Sequence, residues 1–191
     1  IKGGVGKTTL SVQISQMLEY TYVTNDPHSS AHNLLPEEKG FLVSKDEYEE
    51  IPYDDNVVYD FGGFIDPRIN DIIKQSNKVL IPTLTSIVDL QATLATLKDV
   101  IEINNNIIIL INRAKNNNKA NELKDYLLEE IKKEYKEVQI PIIFVRESSV
   151  LEDSLFDCEY VENKAGNNRF KRHIYRNAIE DLNNIKNILK D

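Results

Sequence analysis

Cysteine is almost absent from this chain, with Cys158 alone among 191 residues. A single thiol excludes a disulfide framework and any cysteine-rich metal or iron–sulfur site within one chain. It suits a reducing compartment. Long apolar runs are missing too. No stretch approaches the ~20 residues that a membrane-crossing helix needs, and no secretory leader pattern is visible, so a cytoplasmic protein without stable membrane insertion is expected. Positive charge is in deficit, with 23 Lys and Arg against 31 Asp and Glu and a net charge of −8. Such a chain repels nucleic acid as a whole. The deficit is uneven, however. Acids dominate from Glu37 to Asp60, whereas Asn163 to Asn177 holds none and carries Lys164, Arg169, Lys171, Arg172 and Arg176. That asymmetry marks a candidate anion-facing surface, although a solvated loop and helix start would show the same pattern.

What is present is an ordinary globular composition, 41% hydrophobic and 28% charged, long enough for one domain with a sizeable core. Short apolar runs read as strands at Tyr20–Thr24, Val57–Tyr59, Lys78–Ile81, Ile107–Ile111 and Ile142–Val145. They are continuous rather than alternating, as for strands buried on both faces. Helical patterns fall between them, at Thr8–Glu19, Pro67–Gln75, Val88–Asn104 and Lys119–Tyr135. Ile174, Ala178, Leu182, Ile185 and Leu189 stripe a terminal helix. The βαβα order predicts an α/β fold: a doubly wound, mostly parallel sheet with helices on both faces. Ligands of such sheets sit at the carboxyl ends of the strands.

The chemistry starts at once. Lys2-Gly3-Gly4-Val5-Gly6-Lys7-Thr8-Thr9 has the working parts of a phosphate loop. Glycines let the backbone fold with N–H groups turned toward an anion. Lys7 is placed to reach β- and γ-phosphates, and the Thr8 hydroxyl to ligate Mg²⁺. A helix beginning near Thr8 adds its positive end. A phosphate loop needs a strand feeding it, yet only Ile1 precedes Lys2; an apolar strand is therefore expected upstream, and residues 1–191 are read as one domain short of it. Val57-Val58-Tyr59-Asp60 is an apolar strand ending in an acid, which suits a magnesium site because Mg²⁺ takes one or two carboxylates and keeps several waters.

With its extra lysine, this loop resembles the deviant Walker A loop of the ParA/MinD family of ATPases, and the resemblance extends over almost the whole chain. It implies ATP and Mg²⁺ as cofactors, with Gly3, Gly4, Val5, Gly6, Lys7, Thr8 and Thr9 around the phosphates, Thr8 on the metal and Asp60 on the metal through a water. It implies that Lys2 crosses an ATP-sandwich homodimer to the partner's phosphates. Thr24-Asn25-Asp26-Pro27-His28-Ser29-Ser30 resembles the family's switch segment, so Asp26 would position the attacking water; a plain turn before Pro27 is the blander reading. Thr24 and His28 depart from the family pattern, which usually has Asp and Gln there. Asn112, ending a strand, would contact adenine, although a strand-capping turn residue also fits. No Asn-Lys-x-Asp guanine-reading motif occurs, which favours ATP over GTP.

The compact chain looks most like the small partition ATPases of plasmids and chromosomes. These bind DNA non-specifically as ATP dimers, associate with the nucleoid and answer to a ParB-like centromere-binding partner. By that resemblance Lys164, Arg169, Lys171, Arg172 and Arg176 would meet DNA phosphates. A MinD-like membrane-associated ATPase and a mobile-element accessory ATPase are the alternatives. A nitrogenase-type iron protein would need bridging cysteines that the chain does not have. A dethiobiotin synthase is less easily set aside, although no substrate-pocket residues stand out beyond the nucleotide site.

Overall fold

A computed structural model describes residues 4–44, 47, 56–62, 67–115, 117–136, 138–157 and 159–190. Lys2, Gly3, Gly63 and Cys158 lie outside the described residues. In chain order the elements are α1 (Lys7–Leu18), β1 (Thr21–Thr24), α2 (Ala31–Leu34), β2 (Gly40–Leu42), β3 (Val57–Asp60), α3 (Pro67–Gln75), β4 (Val79–Thr83), α4 (Ile87–Ile101), β5 (Ile107–Ala114), α5 (Asn117–Glu134), β6 (Ile142–Arg146), α6 (Ser149–Asp157), α7 (Val161–Ala165) and α8 (Arg169–Lys190). The architecture is α/β, and every strand pairing among the described residues is parallel. The five expected strands and the helices between them are present. The short α2, β2 and α7 carry too few residues to show a period and are new.

The described residues fall into two compact units, divided within the phosphate loop between Val5 and Gly6. One unit takes in Val5 and Asn70–Glu147. Its sheet has the order β4-β5-β6. The central strand explains the continuous apolar run: Ile107 to Ile111 are each no more than 1% exposed, so both faces of β5 are covered there and every position of the run is apolar. α4 packs on β4 and α5 on β5. Leu123, Leu127 and Ile131 of α5 lie one turn apart and join Ile109 and Ile111 in one apolar cluster. Burying each such side chain stabilises the fold by roughly 1.5–3 kcal/mol relative to leaving it in water.

The other unit comprises the described residues of Gly6–Ile69 and Ser148–Asp191. Its sheet runs β2-β1-β3. β1 and β3 are in register with Tyr22 opposite Val58 and Thr24 opposite Asp60. Two acid-bearing segments, Asp26 just past β1 and Asp60 at the end of β3, thus leave one edge of the sheet together. α1 packs on β1 and β3, and α6 and α8 pack on α1. Gln13 on α1 is fully buried and tied at both ends of its carboxamide. Its Nε2 donates to the Glu159 carbonyl at 3.2 Å and its Oε1 accepts from the Val161 N–H at 3.1 Å. Along α8, Ala178, Leu182 and Ile185 are buried, but Ile174 is 51% exposed. The predicted apolar stripe therefore packs only from Ala178 onward. Gly40 opens β2 because nothing larger fits: a Cβ there would lie 2.4 Å from the His32 carbonyl oxygen.

Candidate nucleotide site

The loop turns on two left-handed glycines. Gly4 and Gly6 both have φ of 85°, a conformation costly to any residue carrying a Cβ. Gly6 is also the N-cap of α1, so no side chain caps that helix, and no acid stands in its first turn. The turn is built from Lys7, Thr8 and Thr9, all partly exposed. A helix start with no capping side chain, a positive dipole end and no acid complements a phosphate.

Val5 is held within its own unit. It is 5% exposed, and its carbonyl accepts a 2.8 Å hydrogen bond from Nδ2 of the buried Asn112. The Asn112 Oδ1 accepts from the N–H of Arg113 at 2.9 Å. Arg113 sits at a φ of 53°, where β5 bulges between Ile111 and Ala114. The carboxamide assigned to adenine by resemblance is thus engaged with backbone. It caps the irregular strand end and holds Val5.

Asp60 ends β3 and is 4% exposed. A buried carboxylate needs partners, and β1 supplies them. The Tyr22 hydroxyl donates to Asp60 Oδ2 at 2.9 Å. The Thr24 hydroxyl donates to the Asp60 carbonyl at 2.9 Å, and its Oγ1 accepts from the Asp26 N–H at 3.2 Å. One residue further, the Gly62 N–H donates to Asn25 Oδ1 at 2.7 Å. Burial above all, then the charge and hydrogen bond of Asp60, push the Tyr22 phenol well above the usual range, against the pull of Ser29 and Thr24 hydrogen bonds. Thr24, the departure from the family pattern, therefore links the two acid-bearing segments through their backbones. Asp26 itself forms a short turn, its Oδ1 accepting from the His28 N–H at 3.0 Å.

Sequence reasoning missed Tyr22, Asn25 and Gln13. A readable signal existed for Tyr22: a phenol inside a strand buried on both faces must find a partner. The donor set fits a magnesium-bound phosphate. α1, carrying Thr8, packs on β3, which carries Asp60, and among the described residues the buried carboxylate has a single side-chain donor, on one oxygen. Lys2 and Gly3 lie outside the described residues.

The basic window is less uniform than its sequence. Lys164 is ion-paired with Asp157, and that contact raises its pKa. Arg169, Lys171, Arg172 and Arg176 are exposed on the first turns of α8, with the Arg172 Nε donating to the Gly166 carbonyl at 2.6 Å. Phe170 and Ile174 project among them, 73% and 51% exposed.

Residues 1–155 match the CobQ/CobB/MinD/ParA nucleotide binding domain model. The chain belongs to that family. It is a ParA/MinD-type nucleotide-binding domain, and no curated protein matches it significantly in sequence. Solved structures share its fold. McdA from Cyanthece, in its apo form, is 15% identical, with 96% of this chain and 95% of that one covered and a TM-score of 0.65. MinD from Pyrococcus horikoshii OT3, complexed with Mg-ADP, is 15% identical over 98% and 95% of the two chains, with a TM-score of 0.60. A Borrelia burgdorferi B31 protein assigned to plasmid partition, bound to AMPPNP, is 14% identical over 94% and 93%, with a TM-score of 0.57. Among the described residues no helix is long and apolar enough to cross a membrane.

Proposed function

We propose that this ParA/MinD-type domain is an ATPase that dimerises around ATP, binds DNA non-specifically and acts in plasmid or chromosome partition. The observation that carries the nucleotide reading is the uncapped, acid-free start of α1 behind the left-handed Gly4 and Gly6. In this reading Gly3, Gly4, Val5, Gly6, Lys7, Thr8 and Thr9 surround the phosphates. Thr8 and Asp60 would hold Mg²⁺, which supplies charge neutralisation on the phosphate oxygens. Lys7 and, from a second copy, Lys2 would offset the charge that builds on the transferred phosphoryl group. Asp26 would orient water at the neighbouring strand end, and Asn112 would keep Val5 in place. A dimer placing two α8 helices on one duplex would make DNA binding depend on ATP, with a ParB-like partner stimulating hydrolysis. The P. horikoshii MinD complexed with Mg-ADP and the B. burgdorferi partition protein bound to AMPPNP support a nucleotide as the ligand of this fold.

A second reading, a MinD-like membrane-associated or a mobile-element accessory positioning ATPase, is favoured by one feature. Phe170 and Ile174 are exposed one helical turn apart among arginines and a lysine, the pattern of a surface that lies on lipid headgroups. Retention of a random-sequence DNA duplex, with Mg·ATP or Mg·ADP across a salt series, separates them. Partition predicts binding with ATP alone. Four exposed cations predict a log–log salt slope of roughly −3 to −4 per chain. No DNA binding in either state, with binding to anionic vesicles, overturns the DNA reading in favour of the membrane one.

A further inference from the structure

Tyr22 is 0% exposed, in the middle of β1, with its hydroxyl on the carboxylate of Asp60. The register explains the reach. Tyr22 lies opposite Val58, so Asp60 is two residues along on the same face of the neighbouring strand, within the span of a phenol ring. The backbone of Asp60 is fixed separately by Thr24. Main chain and side chain of one acid are thus both held by β1, at 2.9 Å in each case. Taking Asp60 as the magnesium carboxylate, as proposed above, the phenol then has a specific consequence. The hydrogen bond on Oδ2 fixes the turn of the carboxylate, and so the direction from which its remaining lone pairs meet the ion or its water. Mg²⁺ demands near-ideal octahedral geometry and keeps several waters, so a carboxylate turned out of place weakens the site.

We propose that Tyr22 is a positioning residue for the metal site, holding the Asp60 carboxylate in the orientation that meets Mg²⁺ or its water. It touches neither nucleotide nor metal and acts through the carboxylate alone. Tyr22→Phe removes the donor and keeps the ring. Outer-shell partners of metal ligands typically contribute 10–100-fold in metal affinity, so a loss of about tenfold in apparent Mg²⁺ affinity is expected.

The test is a titration of the full chain with Mg²⁺. The readout is the metal-dependent enhancement of fluorescent ADP binding in the wild type, Y22F, D60N and the double variant. A tenfold weaker Mg²⁺ response in Y22F, unchanged ADP binding without metal and no further effect of Y22F on the D60N background support the proposal. An unchanged Mg²⁺ response in Y22F overturns it, as does an equal loss in the D60N background. If D60N itself leaves the Mg²⁺ response intact, the magnesium assignment of Asp60 fails and takes this proposal with it. Should Y22F not fold, 3-fluorotyrosine placed at position 22 gives a second readout. Its ¹⁹F resonance should move when Mg²⁺ is added to the ADP complex and stay still in D60N; a resonance indifferent to Mg²⁺ overturns the proposal.

Discussion

Replacing Asn112 by alanine separates two roles for one side chain. The structure gives Asn112 two hydrogen bonds, a 2.8 Å bond to the Val5 carbonyl and a 2.9 Å bond from the Arg113 N–H. Alanine removes both and leaves both partners. An orphaned buried polar group costs about 1–3 kcal/mol. The Val5 carbonyl, beside a side chain that is only 5% exposed, takes the upper part of that range. The Arg113 N–H lies at a more exposed residue, where water offsets part of the loss. The sum is about 2–4 kcal/mol. A chain of this size loses roughly 2–4 °C of Tm per kcal/mol, so a fall of roughly 4–16 °C is expected. The assay is thermal unfolding by circular dichroism without nucleotide, followed by ADP titration. A side chain whose role were to contact adenine would leave the nucleotide-free Tm unchanged and weaken only ADP. A nucleotide-free Tm within 1 °C of the wild type, a threshold set at roughly a quarter of the smallest expected shift, would therefore refute the brace.

Three further outcomes follow from the same geometry. Lys7→Ala should weaken ADP and ATP by about 10–150-fold, the worth of a charge-assisted hydrogen bond, with little change in Tm; unchanged affinity by calorimetry would remove the phosphate-loop assignment. Gly40→Ala drives a Cβ into the His32 carbonyl at 2.4 Å, and overpacking of this kind costs about 1–3 kcal/mol, to be read from the urea midpoint. Alkaline pH should destabilise the fold. Burial, then the charge of Glu162, raises the Tyr160 phenol to about 12 from its ordinary 10.0, so the native state holds that proton more tightly than the unfolded chain does. Stability is then complete below about pH 10 and is lost as pH climbs toward 12; denaturant titrations at pH 9 and 11 should show a smaller decline in Tyr160→Phe.

The order of the elements was legible because buried parallel strands leave continuous apolar runs, and Ile107–Ile111 is such a run. The loop was legible because Gly4 and Gly6 are needed for a conformation other residues avoid. α2 and β2 were not, since four and three residues respectively are too few to show a period. At the site, Asp60 and the segment around Asp26 stood out as acids at strand ends. What holds them did not: Tyr22, Thr24 and Asn25 act across a strand pairing, and cross-strand partners are set by register rather than by spacing along the chain. The same holds for Asn112, whose bond to Val5 spans 107 positions. Lys164 shows the converse, a residue legible as a free cation that the fold pairs with Asp157.

Asn104 has a consequence for how the chain opens. Its Nδ2 donates at 2.7 Å to both the Ile73 and the Ser76 carbonyls, groups 31 and 28 positions back along the chain. The last carbonyls of a helix have no partner inside it, and ends left so usually fray on their own. Here the tail of α3 is fastened to the turn that launches β5, the most deeply buried strand of its unit. Loosening one requires releasing the other. Amide protons in the last turn of α3, such as that of Ser76, should therefore exchange with solvent at the slow rate of the sheet's cooperative unit, not at the fast rate of a helix end, and Asn104→Ala should set them free.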